Sequence, residues 1–142
     1  MLPTDISQDS QARKIRPQFL ILIENKGQGN PVKRESTRDF CTRDDTTSIN
    51  FHDNLNRVKV NAFLSNQELD CTPKEKINNQ LSTEKYKYAL AKLKDKKELI
   101  RCTLTDGLDA SQDSYLTPFR ITLTYGYTQS LSTNYLIQKA SR

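Results

Sequence analysis

Few residues in this sequence have the types and spacing that acid–base or metal chemistry needs. His52 is the single histidine, and it stands beside Asp53 where a predicted strand ends before a turn. A histidine there is typical of an ordinary surface position, because general acid–base catalysis needs partners within hydrogen-bond reach. The sequence has no nucleophile elbow, phosphate-binding P-loop or H-E-x-x-H zinc motif. We therefore predict no catalytic residue, no metal site and no cofactor.

A short charged pattern, Glu24-Asn25-Lys26, follows the most apolar segment of the chain. It resembles the E-x-K half of the metal-dependent nuclease motif of the PD-(D/E)xK families. That resemblance implies a carboxylate that binds Mg²⁺ and a lysine that orients a water. The upstream acid that the motif also requires could only be Asp5 or Asp9, in a polar tail. A charged strand end is the competing interpretation, so we predict a non-enzymatic protein with Glu24/Lys26 as the one enzymatic candidate.

Positive charge is concentrated in one segment. Residues 74–101 hold nine basic and four acidic residues, which accounts for the whole net charge of +5. Lysines beside an apolar helical stripe, with tyrosines interleaved, suit a helix that contacts nucleic-acid phosphates and stacks on exposed bases. Such lysines also commonly lie along a core edge and hold their charges in water. The candidate nucleic-acid-binding residues of this segment are Lys85, Tyr86, Lys87, Tyr88, Lys92, Lys94, Lys96 and Lys97.

A second basic surface is predicted on the non-core face of the sheet, where arginines alternate with threonines. Such side chains suit phosphates, 2′-hydroxyls or the backbone of a partner. Phe119 and Tyr125 fall on the core side of their strand, which argues against base stacking on this sheet. The basic residues of this face are Arg57, Lys59, Arg101 and Arg120.

The cysteines and the apolar runs predict the compartment. Cys41, Cys71 and Cys102 are odd in number and form no C-x-x-C pair. Each is expected to be a small buried hydrophobe in a reduced protein. The first ten residues lack the apolar core of a secretory signal, and no apolar run exceeds five residues. We expect an intracellular protein, cytoplasmic or nuclear, without a membrane span.

The elements that position these residues are mostly strands. Residues 1–16 are polar and predict a flexible N-terminal tail, while residues 17–142 predict one domain. Gln18–Glu24 holds five consecutive large hydrophobes, which predicts a central strand covered on both sides. Residues 25–48 contain glycines, a proline and few apolar residues, and they predict a long polar loop.

Alternation of apolar and polar residues predicts the further strands, and half-exposed strands of this kind pair antiparallel. In Arg57–Leu64 the side chains of Val58, Val60, Ala62 and Leu64 share one face. The other predicted strands are Ile49–Phe51, Leu99–Thr105, Phe119–Tyr125 and, more weakly, Thr133–Gln138.

One segment predicts helix. Thr72-Pro73-Lys74-Glu75 is a capping box with proline at the first helical position. Apolar residues at 86, 89, 90 and 93 have helical spacing. A single straight helix to Lys97 would be apolar on two faces, so the pattern predicts one bent helix or two short ones over residues 73–97. The fold class is therefore predicted as α+β, an antiparallel sheet of five to six strands with these helices on one face.

Two classes of function stay open. The first is a small intracellular binding module that contacts RNA or DNA phosphates through the Lys-rich helix and the Arg/Thr sheet face. The alternative is a protein–protein interaction subunit or inhibitor that uses the 25–48 loop, with lysines that only solubilise. The expected partners are accordingly nucleic acid and a protein partner or larger complex.

Overall fold

Strands make up most of the regular structure. The computed structural model describes residues 2–9, 14–42, 53–74, 76–77, 80–81, 86–109 and 116–140. Helical geometry among them is limited to a 3₁₀ turn at Arg34–Ser36, the helix α1 (Thr37–Thr42) and the two helical residues Asp53 and Asn54. The strands are β1 (Leu2–Asp9), β2 (Lys14–Glu24), β3 (Asn30–Val32), β4 (Arg57–Leu64), β5 (Gln67–Glu68), β6 (Asp70–Thr72), β7 (Lys76–Ile77), β8 (Gln80–Leu81), β9 (Ala89–Lys92), β10 (Lys97–Thr103), β11 (Leu108–Asp109), β12 (Phe119–Thr124) and β13 (Gly126–Thr128).

Two antiparallel sheets face each other. The first has the order β1-β2-β10-β6, and β11 also pairs with β2. The second has the order β12-β4-β5, and β9 also pairs with β4. Two-stranded ladders join β13 to β3 and β7 to β8. The antiparallel pairing expected from the alternating strands is confirmed.

The core lies between the two sheets. Ile21 and Ile23 of β2 and Ile100 of β10 belong to the same buried cluster as the alternating residues of β4. The predicted face of Arg57–Leu64 is confirmed, because every second residue from Val58 to Leu64 is buried. At one side the rings of Phe19 and Phe119 meet across the sheets, with centroids 4.7 Å apart.

The predicted helices over residues 73–97 are wrong, and with them the α+β fold class, since the described chain is mainly β. Thr72, the expected helix cap, is the last residue of β6 and pairs with β10. Ala89, Ala91 and Leu93 belong to the core cluster at every second position, as in a strand that faces a core, and Leu90 between them is also buried. Some apolar residues of this segment fit both a helical spacing and the period of two of a strand. The pairing of β9 with β4 decides in favour of the strand.

The strand predicted for Gln18–Glu24 is confirmed, but among the described residues the packing predicted on both of its faces is found on one face only. β2 lies inside its sheet between β1 and β10. Ile21 and Ile23 are buried, whereas Leu22 points to the other face and is 58% exposed. Its neighbour Leu99 on β10 is 50% exposed. The second sheet therefore covers only one face of β2 here, which is the usual arrangement in a two-layer structure.

Several predicted segments differ in the structure. The expected N-terminal tail includes β1, whose backbone pairs with β2. Within the expected 25–48 loop, residues 30–42 form β3, the 3₁₀ turn and α1. The predicted strand Ile49–Phe51 and His52 lie outside the described residues. Residues 129–140, which include the predicted strand Thr133–Gln138, have no regular structure. Among the described residues, no helix has the length and apolarity of a membrane span.

A disulfide joins Cys71 to Cys102, so the expectation of reduced cysteines is wrong for these two residues. They face each other on β6 and β10, with Cα atoms 4.1 Å apart, although 31 residues separate them along the chain. Both are completely buried in the core, as expected. Cys41 is in α1, and its side chain lies outside the described part.

Candidate functional site

The residues predicted to form one Lys-rich helical surface are spread over strands and turns. Lys85 lies outside the described residues. The others occupy the approach to β9, the end of β9, the turn that follows and the start of β10. In that order they are Tyr86, Lys87 and Tyr88; Lys92; Lys94 and Lys96; and Lys97.

The two tyrosines of this set contact each other and two lysines. The rings of Tyr86 and Tyr88 stack with centroids 4.2 Å apart. Lys59 Nζ lies 4.3 Å from the centroid of the Tyr88 ring, and Lys74 Nζ lies 5.2 Å from that of Tyr86. Lys74 also forms an ion pair with Asp70 at 2.6 Å. A nucleic-acid base that stacked on Tyr88 would compete with Lys59 for the same ring. The two tyrosines and two lysines therefore form a cation–π cluster with each other.

The predicted Arg/Thr sheet face is divided between the two outer surfaces of the protein. Arg57 and Lys59 alternate with the buried residues of β4, and Arg120 lies exposed beside them on β12 with its guanidinium 4.6 Å from the Phe63 ring centroid. Arg101 belongs to β10 and lies on the outer face of the other sheet. The prediction assumed one sheet, and the presence of two separates Arg101 from the rest.

The lysines of the β9–β10 turn do lie together. Asp95 and Lys96 have positive φ values of 51° and 66°, which form the tight reversal between the strands. The backbones of Lys94 and Lys97 close this turn with two hydrogen bonds. Lys96 Nζ lies 3.5 Å from the carbonyl oxygen of Gly27, so the turn borders the loop that follows β2. This exposed basic turn is the part of the predicted surface that the fold assembles.

Glu24 and Lys26, the E-x-K pair, form a salt bridge beside that turn. Lys26 Nζ lies 2.6 Å from Glu24 Oε2, and Lys97 Nζ lies 3.8 Å from Glu24 Oε1. The hydrogen bond and charge of Lys26, with a smaller contribution from Lys97, lower the pKa of Glu24 below its ordinary 4.5. The same contact raises the pKa of Lys26 above 10.5. Glu24 and Lys26 thus form a charged pair where β2 ends.

The structure does not bring the acids that the nuclease pattern requires to Glu24. Asp5 pairs with Gln18 and Asp9 with Lys14 along β2. At about 3.3 Å per residue, Gln18 lies roughly 20 Å from Glu24 on that strand. In the part of the chain that the structure describes, no group of three or more His, Cys, Asp or Glu side chains could hold a metal ion.

A cleft of about 360 Å³ opens beside the Glu24–Lys26 pair. Its floor is apolar and belongs to the core edge, with Ile23, Val58 and Leu93. One wall comes from β12, β13 and the residue between them, and residues 24–27 form the polar rim. The wall residues are Leu123, Tyr125 and Tyr127.

The cleft exists because the sandwich is open at one side. Among the described strands β12 pairs only with β4, so its other edge has no neighbouring strand. Across the cleft β1 pairs with β2 only as far as Leu20 and stops before Ile23. Leu123 lies on the strand face that carries the half-buried Phe119 and Ile121, yet it is 43% exposed. The interior of the sandwich is therefore accessible here.

Hydrogen bonds hold the rim of the cleft in place. Gly27 N donates to Asn25 Oδ1 at 3.0 Å, and Asn25 Nδ2 donates to the Gly29 carbonyl at 2.8 Å. Gly29 N donates to Tyr127 Oη at 2.7 Å. These contacts tie the loop after β2 to β13, so the rim is formed before any ligand arrives.

The cleft is absent from the predicted sites, because the prediction placed Phe119 and Tyr125 on the core side of their strand. One signal was present in the sequence. Alternate apolar residues continue from Phe119 through Leu123 and Tyr125 to Tyr127, a longer series than six-residue β12 needs. An apolar face that continues past the end of its strand indicates either a longer strand or an exposed apolar patch. Only the order of strands in the sheet distinguishes these two cases.

The chain matches no protein-family model, no curated protein and no solved structure.

Proposed function

We propose that this protein is a protein-interaction module that binds an extended peptide segment at the cleft beside β12. The observation that supports it is that one edge of β12 has no partner among the described strands and lies next to an apolar cleft. This proposal keeps the protein–protein interaction predicted as the alternative from the sequence. It places the binding surface at the cleft beside β12, whereas the prediction placed it on the 25–48 loop. Of the 25–48 loop, Asn25, Lys26, Gly27 and Pro31 line the cleft.

Strand addition explains how such a site would work. The free N–H and C=O groups along β12 would hydrogen-bond to the backbone of the incoming segment. Every second side chain of that segment would then point into the cleft, against Leu123 and Tyr125. The exposed Lys26 and the partly buried Glu24 lie at the rim, where their charged groups can select polar neighbours.

Peptide selection tests this function. Random peptides of seven to nine residues, displayed on phage, would be selected against the immobilised protein. We expect enriched sequences that alternate apolar with polar residues and lack proline, because proline cannot donate to a ladder. Leu123→Lys should abolish binding, whereas Thr122→Lys, on the opposite and exposed face of the same strand, should not. Absence of enrichment, or binding indifferent to Leu123→Lys, would contradict the proposal.

Nucleic-acid binding is the second candidate, and the exposed lysines of the β9–β10 turn support it. Phosphate contact there predicts that the logarithm of the binding constant falls linearly with the logarithm of salt concentration. Lys94→Gln with Lys96→Gln should reduce that slope for random RNA or DNA by about 1–2. Lys139→Gln, in the exposed residues 129–140, is the matched control. No binding at low salt would remove this candidate.

The compartment also belongs to the proposal. The expected intracellular location rested on reduced cysteines. The Cys71–Cys102 disulfide supports an oxidising compartment instead, because disulfides form and persist there. Mass spectrometry of thiols alkylated in intact cells tests this point, and alkylation of Cys71 and Cys102 without prior reduction would restore the intracellular location.

A further inference from the structure

Residues 129–140, the C-terminal segment, leave β13 and expose large apolar side chains to solvent. Leu131, Tyr135, Leu136 and Ile137 are 98%, 82%, 87% and 90% exposed. Three consecutive exposed residues of this size form an apolar patch, and such patches on proteins mark interaction sites. The segment has no regular structure, although tyrosine, leucine and isoleucine there favoured a strand.

The sequence of the segment has the pattern of a strand with one apolar face. In extended conformation Leu131, Thr133, Tyr135 and Ile137 would share one side, and Leu136 and Ala140 are the apolar residues of the other. At 3.3–3.4 Å per residue, the seven residues 131–137 span about 23 Å and the six residues of β12 about 20 Å. The segment thus has the length and the pattern that the open edge of β12 requires.

We infer that the C-terminal segment of one copy pairs with the free edge of β12 in a second copy and places Tyr135 and Ile137 in its cleft. This inference rests on the proposed peptide-binding function and identifies its ligand. A second copy is favoured over the same chain because a return to its own β12 needs a reversal directly after Thr128. Residues 128–131 contain no glycine, proline, asparagine or aspartate, and Ser130 is the one residue there of a type that tight reversals favour.

A fluorescent reporter distinguishes the possible positions of the segment. The chain has no tryptophan, so Tyr135→Trp introduces a single tryptophan, which can be excited at wavelengths that the tyrosines do not absorb. We expect its emission to shift to the blue as protein concentration rises, together with a rise in mass by light scattering. A blue shift that is independent of concentration in a monomer would show docking on the same chain and overturn the inference. A red emission at every concentration would overturn it as well.

Variants of the C-terminal segment and of the β12 cleft that receives it test the geometry. Tyr135→Ser or Ile137→Ser alone should weaken self-association about 30-fold, and the two together should abolish it. Both side chains are exposed, so these changes leave the fold intact. Asn134→Ala, on the polar side of the segment, is the matched control. Leu123→Lys should abolish association from the acceptor side, and mixing it with the Tyr135→Ser/Ile137→Ser chain should restore one contact per pair. No association in the mixture would contradict the inference.

A synthetic peptide of residues 129–140 separates failure of this inference from failure of the proposed function. On the Tyr135→Ser/Ile137→Ser protein, we expect this peptide to bind and Leu123→Lys to prevent it. If phage-selected peptides bind at β12 and this peptide does not, the inference fails and the peptide-binding function stands. If neither binds, both fail.

Discussion

Reduction of the Cys71–Cys102 disulfide should lower the free energy of unfolding substantially. The bond closes a loop of 31 residues. The entropy of closing such a loop in the unfolded chain corresponds to about 3.7 kcal/mol at 25 °C. Reduction leaves both sulfur atoms in the same buried site, so it tests the cross-link without deleting core volume, as an alanine pair would.

Urea unfolding with and without a reductant measures this difference by linear extrapolation. A Cys41→Ser chain is the appropriate background, because it removes the third thiol and any exchange through it. In that chain, a denatured but unreduced sample should contain no reactive thiol. A stability difference below about 1 kcal/mol, or two reactive thiols before reduction, would refute the reasoning.

Three further predictions concern the core, the cleft rim and the charged pair. Ile100→Ala should lower the free energy of unfolding by about 2–5 kcal/mol, whereas Leu99→Ala, its half-exposed neighbour, should cost clearly less in the same urea titration. Gly29→Ala should destabilise the protein by about 1–3 kcal/mol in thermal unfolding, since a Cβ there would meet β13 at less than contact distance. By NMR, the pKa of Glu24 should lie below 4.5, and Lys26→Gln should raise it. The stabilisation from this contact is therefore complete above the unfolded pKa and is lost as pH falls through the lowered folded value, and an unchanged pKa in Lys26→Gln would contradict this.

The strand β4 shows what local pattern predicts well. Val58, Val60, Ala62 and Leu64 stand at every second position of the strand, and all four are buried. Successive side chains of a strand point to opposite faces, so burial follows from the pattern without knowledge of the partner strand. For this reason the antiparallel strands at β4, β10 and β12 were predictable.

The segment over residues 73–97 shows where local pattern fails. Its capping box and its spacing at 86, 89, 90 and 93 were consistent with helix. Pairing of Thr72 with β10 and of Ala89–Lys92 with β4 overrides these local preferences. The free energy that favours strand over helix here comes from pairing with strands that are distant in sequence. Local sequence patterns contain no information about that pairing.

The sequence by itself determined the alternating faces, the antiparallel character of the strands and the concentration of positive charge in residues 74–101. Only the tertiary structure decided that Cys71 lies opposite Cys102 and that Arg101 lies across the sandwich from Arg120. It also decided that one edge of β12 has no partner among the described strands and lies beside a cleft. The former depend on backbone geometry between near neighbours. The latter depend on which strands pair and where a sheet ends, and those are properties of the whole packed chain.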